Sequence, residues 1–402
     1  MMIPSVKIED FSYNLPDERI AKYPLAVRDS SKLLYYGPDR NISEHSFTDL
    51  PSFIGKDSLM FFNDTKVVPA RLFFRRASGA HIEVFCLEPS EPSEYNANFS
   101  CTQSCSWKCV VGNVKRWKGD VLTCYDPDGT LCDINLRAFL VERMGETNIV
   151  RFEWEGNVPF SDVLEMCGKI PIPPYLNRET EAVDIERYQT LYAKYCGSVA
   201  APTAGLHFSQ NVLSELSGKG VDIRKVCLHV GAGTFLPVKS SDVAQHPMHR
   251  EPFVVRISEL EALAKGDRPV VAVGTTSVRT LESLYYAGVS VIETGEVCDI
   301  EQWAPYIREY SYSTKESLEA IVNYLKANGR DSLELGTRII IVPGFNFRIV
   351  DRMVTNFHQP QSTLLLLISA FVGGDWRRIY DYALDNNFRF LSYGDSSLLC
   401  KQ

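Results

Sequence analysis

The sequence predicts an α/β fold, a mixed, largely parallel sheet domain with an inserted antiparallel β-barrel domain. Two patterns predict it. Over residues 73–155, short runs of β-forming residues follow one another with turns between them, which is typical of a small antiparallel barrel. After Phe160, apolar strands alternate with helical segments, which indicates largely parallel pairing. We therefore expect residues 1–70 and 156–402 to form the α/β body and residues 71–155 to form the barrel.

Individual strands can be placed from composition. Three runs rich in β-branched and aromatic residues predict barrel strands at His81–Leu87, Trp107–Gly112 and Asn148–Trp154. In the body, Pro269–Val273 predicts a buried strand that leads through a polar loop into a helix from Val278. Ile339–Val342 is a second apolar run, stopped by Pro343 and Gly344, and predicts another buried strand.

The composition is that of a globular protein, with 402 residues of which 45% are hydrophobic and 23% charged. The N-terminus lacks the layout of a signal peptide. No apolar run approaches the roughly 20 residues that a membrane helix needs. We expect a cytoplasmic monomer with no membrane partner, whose eleven cysteines are reduced thiols.

Cys101, Cys105 and Cys109 form a cluster in the sequence. Their spacing nearly matches a three-cysteine motif that binds iron–sulfur clusters, but one extra residue breaks the match. In a strand, three such positions share one face over about 26 Å, too far apart for one cluster. We expect these cysteines to be structural.

The net charge of −8 argues against a protein that coats nucleic acid, although one local basic surface suffices for RNA. Such a surface is suggested in the predicted barrel, with Trp107 and Trp117 between its basic residues. These residues are Arg71, Arg75, Arg76, His81, Lys108, Lys115, Arg116 and Lys118. An RNA-binding surface and a solvated strand face both explain them.

Seven strings of the sequence are unusually rich in polar residues and glycine or proline. They are Leu15–Ala21, Phe62–Leu72, Ala201–Phe208, Leu228–Phe235, Val273–Thr280, Asn356–Leu367 and Phe388–Asp395. In this order they resemble the S-adenosylmethionine:tRNA ribosyltransferase-isomerase family of queuosine biosynthesis, from about Phe11 to Leu399. The resemblance implies the same fold, a β-barrel inserted into an α/β domain.

The resemblance also implies a reaction. The ribosyl moiety of S-adenosylmethionine is transferred to 7-aminomethyl-7-deazaguanine in tRNA and isomerised, giving epoxyqueuosine-tRNA plus adenine and methionine. S-adenosylmethionine is thus consumed as a co-substrate, and no metal is implied. Because the sulfonium acidifies the neighbouring 5′ carbon, a base must remove that proton, and a donor is needed where adenine leaves.

Histidine is the natural acid–base group near neutral pH. We call the seven segments that carry the resemblance the matched strings. His207 and His229 lie in two of them, and we predict catalytic roles for these histidines together with Asp64 and Arg279. For each histidine, the alternative is a structural role in which the ring makes its hydrogen bonds within the protein.

Gly274, Thr276 and Ser277 join a strand to a helix N-terminus, where backbone donors and hydroxyls suit a carboxylate or phosphate. We expect the methionine carboxylate or a tRNA phosphate there, with helix capping as the alternative for the hydroxyls. Further predicted binding residues from the matched strings are Thr203, Thr234, Asn356, His358 and Tyr393.

Two departures from the family pattern leave the acceptor open. Asp299–Leu335 is longer than usual, and Ser396–Ser397 stands where Ala-Met is typical. The longer segment predicts a helix, with Ser313 or Thr314 as N-cap, Glu316 in a capping box, and an apolar face of Leu318, Ile321, Val322 and Leu325. The alternatives are a divergent paralogue with another acceptor and a non-catalytic tRNA-binding protein.

Overall fold

The computed structural model describes residues 3–125, 132–145, 147–229, 231 and 240–402. The strands are β1 (Lys32–Tyr36), β2 (Ile42–Ser46), β3 (Leu59–Asn63), β4 (Thr65–Val67), β5 (Arg71–Arg75), β6 (His81–Glu91), β7 (Ser104–Val111), β8 (Leu122–Cys124), β9 (Arg137–Met144), β10 (Thr147–Glu153), β11 (Gly168–Lys169), β12 (Tyr195–Ser198), β13 (Asp222–Leu228), β14 (Glu251–Arg256), β15 (Val270–Val273), β16 (Ser332–Thr337), β17 (Arg352–Asn356) and β18 (Ser396–Cys400). The α-helices are α1 (Leu50–Phe53), α2 (Tyr95–Phe99), α3 (Phe160–Cys167), α4 (Ala182–Arg187), α5 (Gln210–Gly218), α6 (Ile257–Ala264), α7 (Thr275–Thr294), α8 (Thr314–Ala327), α9 (Thr363–Phe371) and α10 (Trp376–Asp385).

The body is built on a nine-stranded sheet with the order β16-β14-β13-β3-β15-β17-β18-β1-β2. Pairing is parallel across its centre, from β13 through β3 and β15 to β17, and again between β18 and β1. The other neighbours are antiparallel. The prediction of a mixed sheet whose central strands are parallel is confirmed.

The central strands are buried on both faces because helices cover both sides of the sheet. Every residue of β15 is buried. Val270 and Ala272 pack into the core that includes α7, α8 and α9, whereas Val271 and Val273 pack into the core that includes α1 and α5. This alternation explains the continuous apolar run, which is typical of a parallel strand between two helical layers.

The helix predicted in the longer segment is confirmed as α8. Ser313 caps it and Glu316 completes the capping box. The predicted apolar face of Leu318, Ile321, Val322 and Leu325 is buried. Ser317 lies against Gly288 of α7, where a Cβ would lie 2.1 Å from the Ser317 carbonyl oxygen, so this close helix packing requires glycine.

The strand predicted at Ile339–Val342 is wrong. The segment is buried but irregular. Its amides bond outside any ladder, since Ile340 donates to the carbonyl of Gln302 and Val342 donates to the hydroxyl of Tyr306. Apolar content predicted the burial and not the conformation.

Six antiparallel strands form the barrel in the order β5-β6-β7-β10-β9-β8, and β8 pairs back onto β5 to close it. The three predicted barrel strands lie in β6, β7 and β10, the last two overrunning the observed strands by one residue at their carboxyl ends, and the prediction of a barrel is confirmed. The division into domains at residues 71 and 155 stays a prediction. Trp107 and Trp117 are 1% and 0% exposed, so the expected tryptophan-bearing surface is wrong because both rings fill the barrel core.

None of the described helices is long and apolar enough to cross a membrane.

Candidate active site

A small polar pocket lies at the carboxyl ends of β15 and β17. We call it the polar pocket; its volume is about 80 Å³. Parallel strands end at the same edge of a sheet, and ligands gather there in α/β proteins. Residues from four of the matched strings line it, among them Thr203, Gly274, Thr276, Asn356, His358 and Ser392.

The N-terminus of α7 faces the polar pocket. Gly274 precedes the helix with φ of 90°, a conformation that favours glycine, and its amide donates to the Val354 carbonyl. The Ser277 hydroxyl donates to the Val273 carbonyl at 2.7 Å and is therefore occupied. The buried Thr276 hydroxyl has no hydrogen-bond partner among the described residues. Of the two hydroxyls predicted to bind ligand, only that of Thr276 is left available.

His207 holds the amide of Asn356 in one orientation. Asn356 Nδ2 donates to Nε2 of His207 at 2.9 Å, and Ser31 Oγ lies 2.9 Å from Nδ1. Burial lowers the pKa of His207 to about 3, so the ring is neutral. Both ring nitrogens are thus occupied, while Asn356 Oδ1 finds no partner in the described parts of the chain.

Two more side chains complete the polar pocket. Tyr188 is buried, and its hydroxyl hydrogen-bonds to Ser392 and to the Ala201 backbone. His358 is fixed at its ring, where Nε2 lies 3.0 Å from Thr355 Oγ1, and at its backbone amide, which donates to the Tyr380 hydroxyl. Two buried polar atoms, Thr276 Oγ1 and Asn356 Oδ1, have no hydrogen-bond partner among the described residues and are left to meet a ligand.

A much larger cleft separates the barrel from the body. We call it the barrel–body cleft; its volume is about 1190 Å³. Barrel residues on one side include Arg71, Tyr95 and Lys108, and body residues on the other include Arg178, His229 and His249. Pro174 lines the cleft and the next residue, Tyr175, lines the polar pocket, so the two cavities are neighbours.

His229 lies in the barrel–body cleft and stacks on Tyr95, with ring centroids 4.4 Å apart and an interplanar angle of 9°. Burial lowers its pKa to about 4, so the ring is neutral at pH 7. The Gly197 backbone hydrogen-bonds to the ring, whose Nδ1 lies nearest to it. A Cβ at Gly197 would lie 2.3 Å from this nitrogen, so glycine there makes room for the ring. His229 is therefore a neutral, rigidly held imidazole.

The chain matches the family model described as queuosine biosynthesis protein over residues 8–399. It belongs to this family. Among curated relatives, the S-adenosylmethionine:tRNA ribosyltransferase-isomerase of Azoarcus sp. (strain BH72) is 40% identical, over 99% of this chain and 98% of the relative. The protein of the same name from Trichlorobacter lovleyi is 37% identical, over 98% and 99%. A crystal structure of S-adenosylmethionine tRNA ribosyltransferase from Thermotoga maritima is 27% identical, over 97% and 99%, with a TM-score of 0.46.

The two other predicted catalytic residues, Asp64 and Arg279, line neither of the two cavities. Asp64 is buried at the end of β3, and burial raises its pKa to about 6. Arg279 forms a buried ion pair with Glu251 and donates to the Ile339 carbonyl. Glu282 on the same helix accepts three backbone amides and does not pair with Arg279. The catalytic assignments of Asp64 and Arg279 stay predictions.

Two predicted binding residues, Ser277 and Tyr393, do not line the polar pocket. Tyr393 is buried beside it and donates to Asp184 at 2.7 Å, while Arg178 holds the same carboxylate at 2.7 Å. Thr234 lies outside the described residues.

Sequence reasoning missed Tyr95 and Tyr188. Tyr95 lies in the barrel segment and Tyr188 follows α4, and neither stands in a matched string. The three-dimensional fold alone brings them to the cavities.

Proposed function

We propose that this chain transfers and isomerises the ribosyl moiety of S-adenosylmethionine onto 7-aminomethyl-7-deazaguanine in tRNA, giving epoxyqueuosine-tRNA plus adenine and methionine. Relatives that match it over nearly its full length carry the name of this enzyme. The observation that carries the proposal is the pair of neighbouring cavities, one small with two polar atoms left unpartnered by the described residues and one large between barrel and body. We expect it to act in the cytoplasm.

The polar pocket fits the amino acid end of S-adenosylmethionine. The N-terminus of α7 supplies backbone donors, and the Thr276 hydroxyl adds another, so the methionine carboxylate binds there. Asn356 Oδ1 is an acceptor and suits the ammonium group. A volume of about 80 Å³ excludes the whole molecule. The ribose and adenine therefore extend toward the barrel–body cleft, where the tRNA base also enters.

His229 serves as the acid–base group in this arrangement. Its imidazole is neutral at pH 7, the form that a general base requires, and the stack on Tyr95 fixes its direction. His207 acts as a positioning residue, because its ring orients the Asn356 amide and both its nitrogens are occupied. The two histidines, which the sequence did not distinguish, thus have different proposed roles: His229 in acid–base chemistry and His207 in positioning Asn356.

The proposal is tested by products. Purified protein with S-adenosylmethionine and tRNA bearing the deazaguanine precursor should release adenine and methionine in equal amounts. S-adenosylhomocysteine would mean methyl transfer and would contradict the proposal. Turnover that does not depend on the precursor tRNA would indicate a paralogue with another acceptor. Binding of tRNA with no release of adenine would indicate a non-catalytic protein.

A further inference from the structure

Three buried cysteines from separate segments meet inside the barrel. Cys124 ends β8, Cys132 begins the next described segment, and Cys167 ends α3. Their exposed fractions are 0%, 4% and 6%. Sγ of Cys132 lies 3.3 Å from Sγ of Cys124, and the three sulfurs all lie within 4.8 Å of one another. We call these three residues the thiol cluster.

The spacing of these sulfurs suits a shared cation. Sulfurs that bind one ion at about 2.3 Å lie about 3.8 to 4.0 Å from each other in tetrahedral or trigonal geometry. The 3.3 Å separation and the 4.8 Å bound lie on either side of this value. Small side-chain rotations therefore suffice to place all three sulfurs on one ion, with no change in the strands.

We propose that the thiol cluster binds one thiophilic d10 cation, Cu⁺ or Zn²⁺, as a structural site of the barrel. Thiolate sulfur selects these ions over Mg²⁺ and Ca²⁺. No other cysteine, histidine or carboxylate joins the group among the described residues. Structural Zn²⁺ sites almost always have four ligands, so three sulfurs alone match Cu⁺ better. The site is separate from the polar pocket and from the barrel–body cleft.

Binding releases protons and transfers no electrons. Each thiol that becomes a ligand gives its proton to solvent and a sulfur lone pair to the ion. Hydrogen bonds with Cys132 and Cys167, together with burial, raise the pKa of the Cys124 thiol. Without a cation the cluster is therefore protonated and uncharged, as an apolar core requires. Affinity for the ion should fall as the pH is lowered.

The test starts from the full chain purified under reductant without chelator, whose metal content is measured by mass spectrometry. Apoprotein is then prepared by unfolding with chelator and reductant, refolded, and titrated without oxygen with Cu⁺, Zn²⁺ or Cd²⁺ as a spectroscopic probe. We expect one ion per chain, thiolate-to-cadmium absorption in the ultraviolet, and a thermal midpoint raised by about 5 °C or more. The ion found in the protein as purified identifies the natural occupant, because metal availability as well as affinity decides which ion a site holds.

Two double variants provide the comparison. Cys124→Ser with Cys167→Ser removes two ligands and should abolish binding. Cys86→Ser with Cys109→Ser removes two thiols of the same core that are also 0% exposed, and should leave one ion bound. No stoichiometric binding by the natural sequence, or equal binding by both variants, overturns the proposal. If the first variant does not fold, the wild-type stoichiometry and the cadmium absorption still decide.

Discussion

The polar pocket and the barrel–body cleft differ in how completely the protein has satisfied its own polar groups. Beside the polar pocket, the side chains of His207 and Ser277 are engaged in hydrogen bonds, and within the pocket two polar atoms, on Thr276 and Asn356, have no partner among the described residues. In the barrel–body cleft, charged side chains from two parts of the molecule face an open space of about 1190 Å³. A rigid small pocket suits recognition of one small group, whereas an open cleft suits a macromolecular substrate.

Because the two cavities differ in this way, we assign substrate binding to the polar pocket and the chemical step to the barrel–body cleft. Changes in the polar pocket should act on the affinity for S-adenosylmethionine, and changes at His229 should act on turnover. The comparison also explains why two histidines in similar strings differ, since His207 is surrounded by the body and His229 lies where the body meets the barrel.

The largest effect is expected at His229. His229→Ala should lower kcat by about 10²-fold or more because the acid–base group is lost, with a small change in KM for S-adenosylmethionine. Adenine release under saturating substrate measures it. His207→Ala is the matched comparison and should mainly raise that KM. Full activity of the His229 variant would return this residue to a structural role.

Asp64→Asn should change stability in a pH-dependent way. Burial raises the pKa of Asp64 in the folded protein to about 6, above its ordinary value of 3.8. The folded state therefore binds the proton more tightly than the unfolded state, and the contribution of Asp64 to stability falls as the pH rises from about 4 to about 6. A shift of two pKa units corresponds to about 2.7 kcal/mol. The free energy of unfolding of the variant, relative to that of the natural protein, should therefore be up to about 2.7 kcal/mol higher at pH 7 than at pH 4.

Urea unfolding of both proteins across this pH range measures the effect, and histidine contributions cancel in the difference. A difference in free energy of unfolding between the two proteins that is the same at pH 4 and pH 7 would contradict a raised pKa of Asp64. Turnover within threefold of the wild type would remove Asp64 from the catalytic residues.

Thr276→Val should raise the KM for S-adenosylmethionine by about 10- to 150-fold, because a hydrogen bond to a charged group contributes about 1.5 to 3 kcal/mol. Its kcat should change less. Ser277→Ala is the control, since its hydroxyl bonds to the Val273 carbonyl. Equal effects of both substitutions would mean that helix capping, and not ligand binding, explains the two hydroxyls.

The smallest effect concerns the basic surface of the barrel that the sequence predicts as a site for tRNA. Arg76 pairs with Asp120, whereas Lys115, Arg116 and Lys118 are exposed and form no ion pair among the described residues. Changing these three to Ala should reduce the slope of log affinity against log salt by about 2 to 3, because each neutralised phosphate releases counterion. Arg76→Ala is the control and should change the slope less. An unchanged slope in the triple variant would move tRNA binding to another surface.

Local signals explain which parts of the structure could be predicted from the sequence. Helix α8 was predictable because its cap, its apolar face and its terminating Asn328-Gly329 are adjacent in the chain. The strand at Ile339–Val342 was predicted wrongly because burial alone does not determine hydrogen bonding. The strings that carry the resemblance located Thr276 and Asn356, but that Asn356 presents Oδ1 to the pocket depends on His207, which lies far away in the sequence and binds the amide nitrogen.

The position of β18 has a consequence for synthesis of the chain. Ser396 pairs with Leu33 of β1 on one side and with Asn356 on the other, so β1 joins the sheet only through a strand made about 360 residues later. At about 5 to 20 residues per second, the ribosome needs roughly 20 to 70 s for that interval. Throughout it, the β1–β2 hairpin has an unpaired edge, the kind of edge that pairs with other chains when it is exposed. The polar pocket is also completed late, since Leu391 and Ser392 line it and are made just before β18.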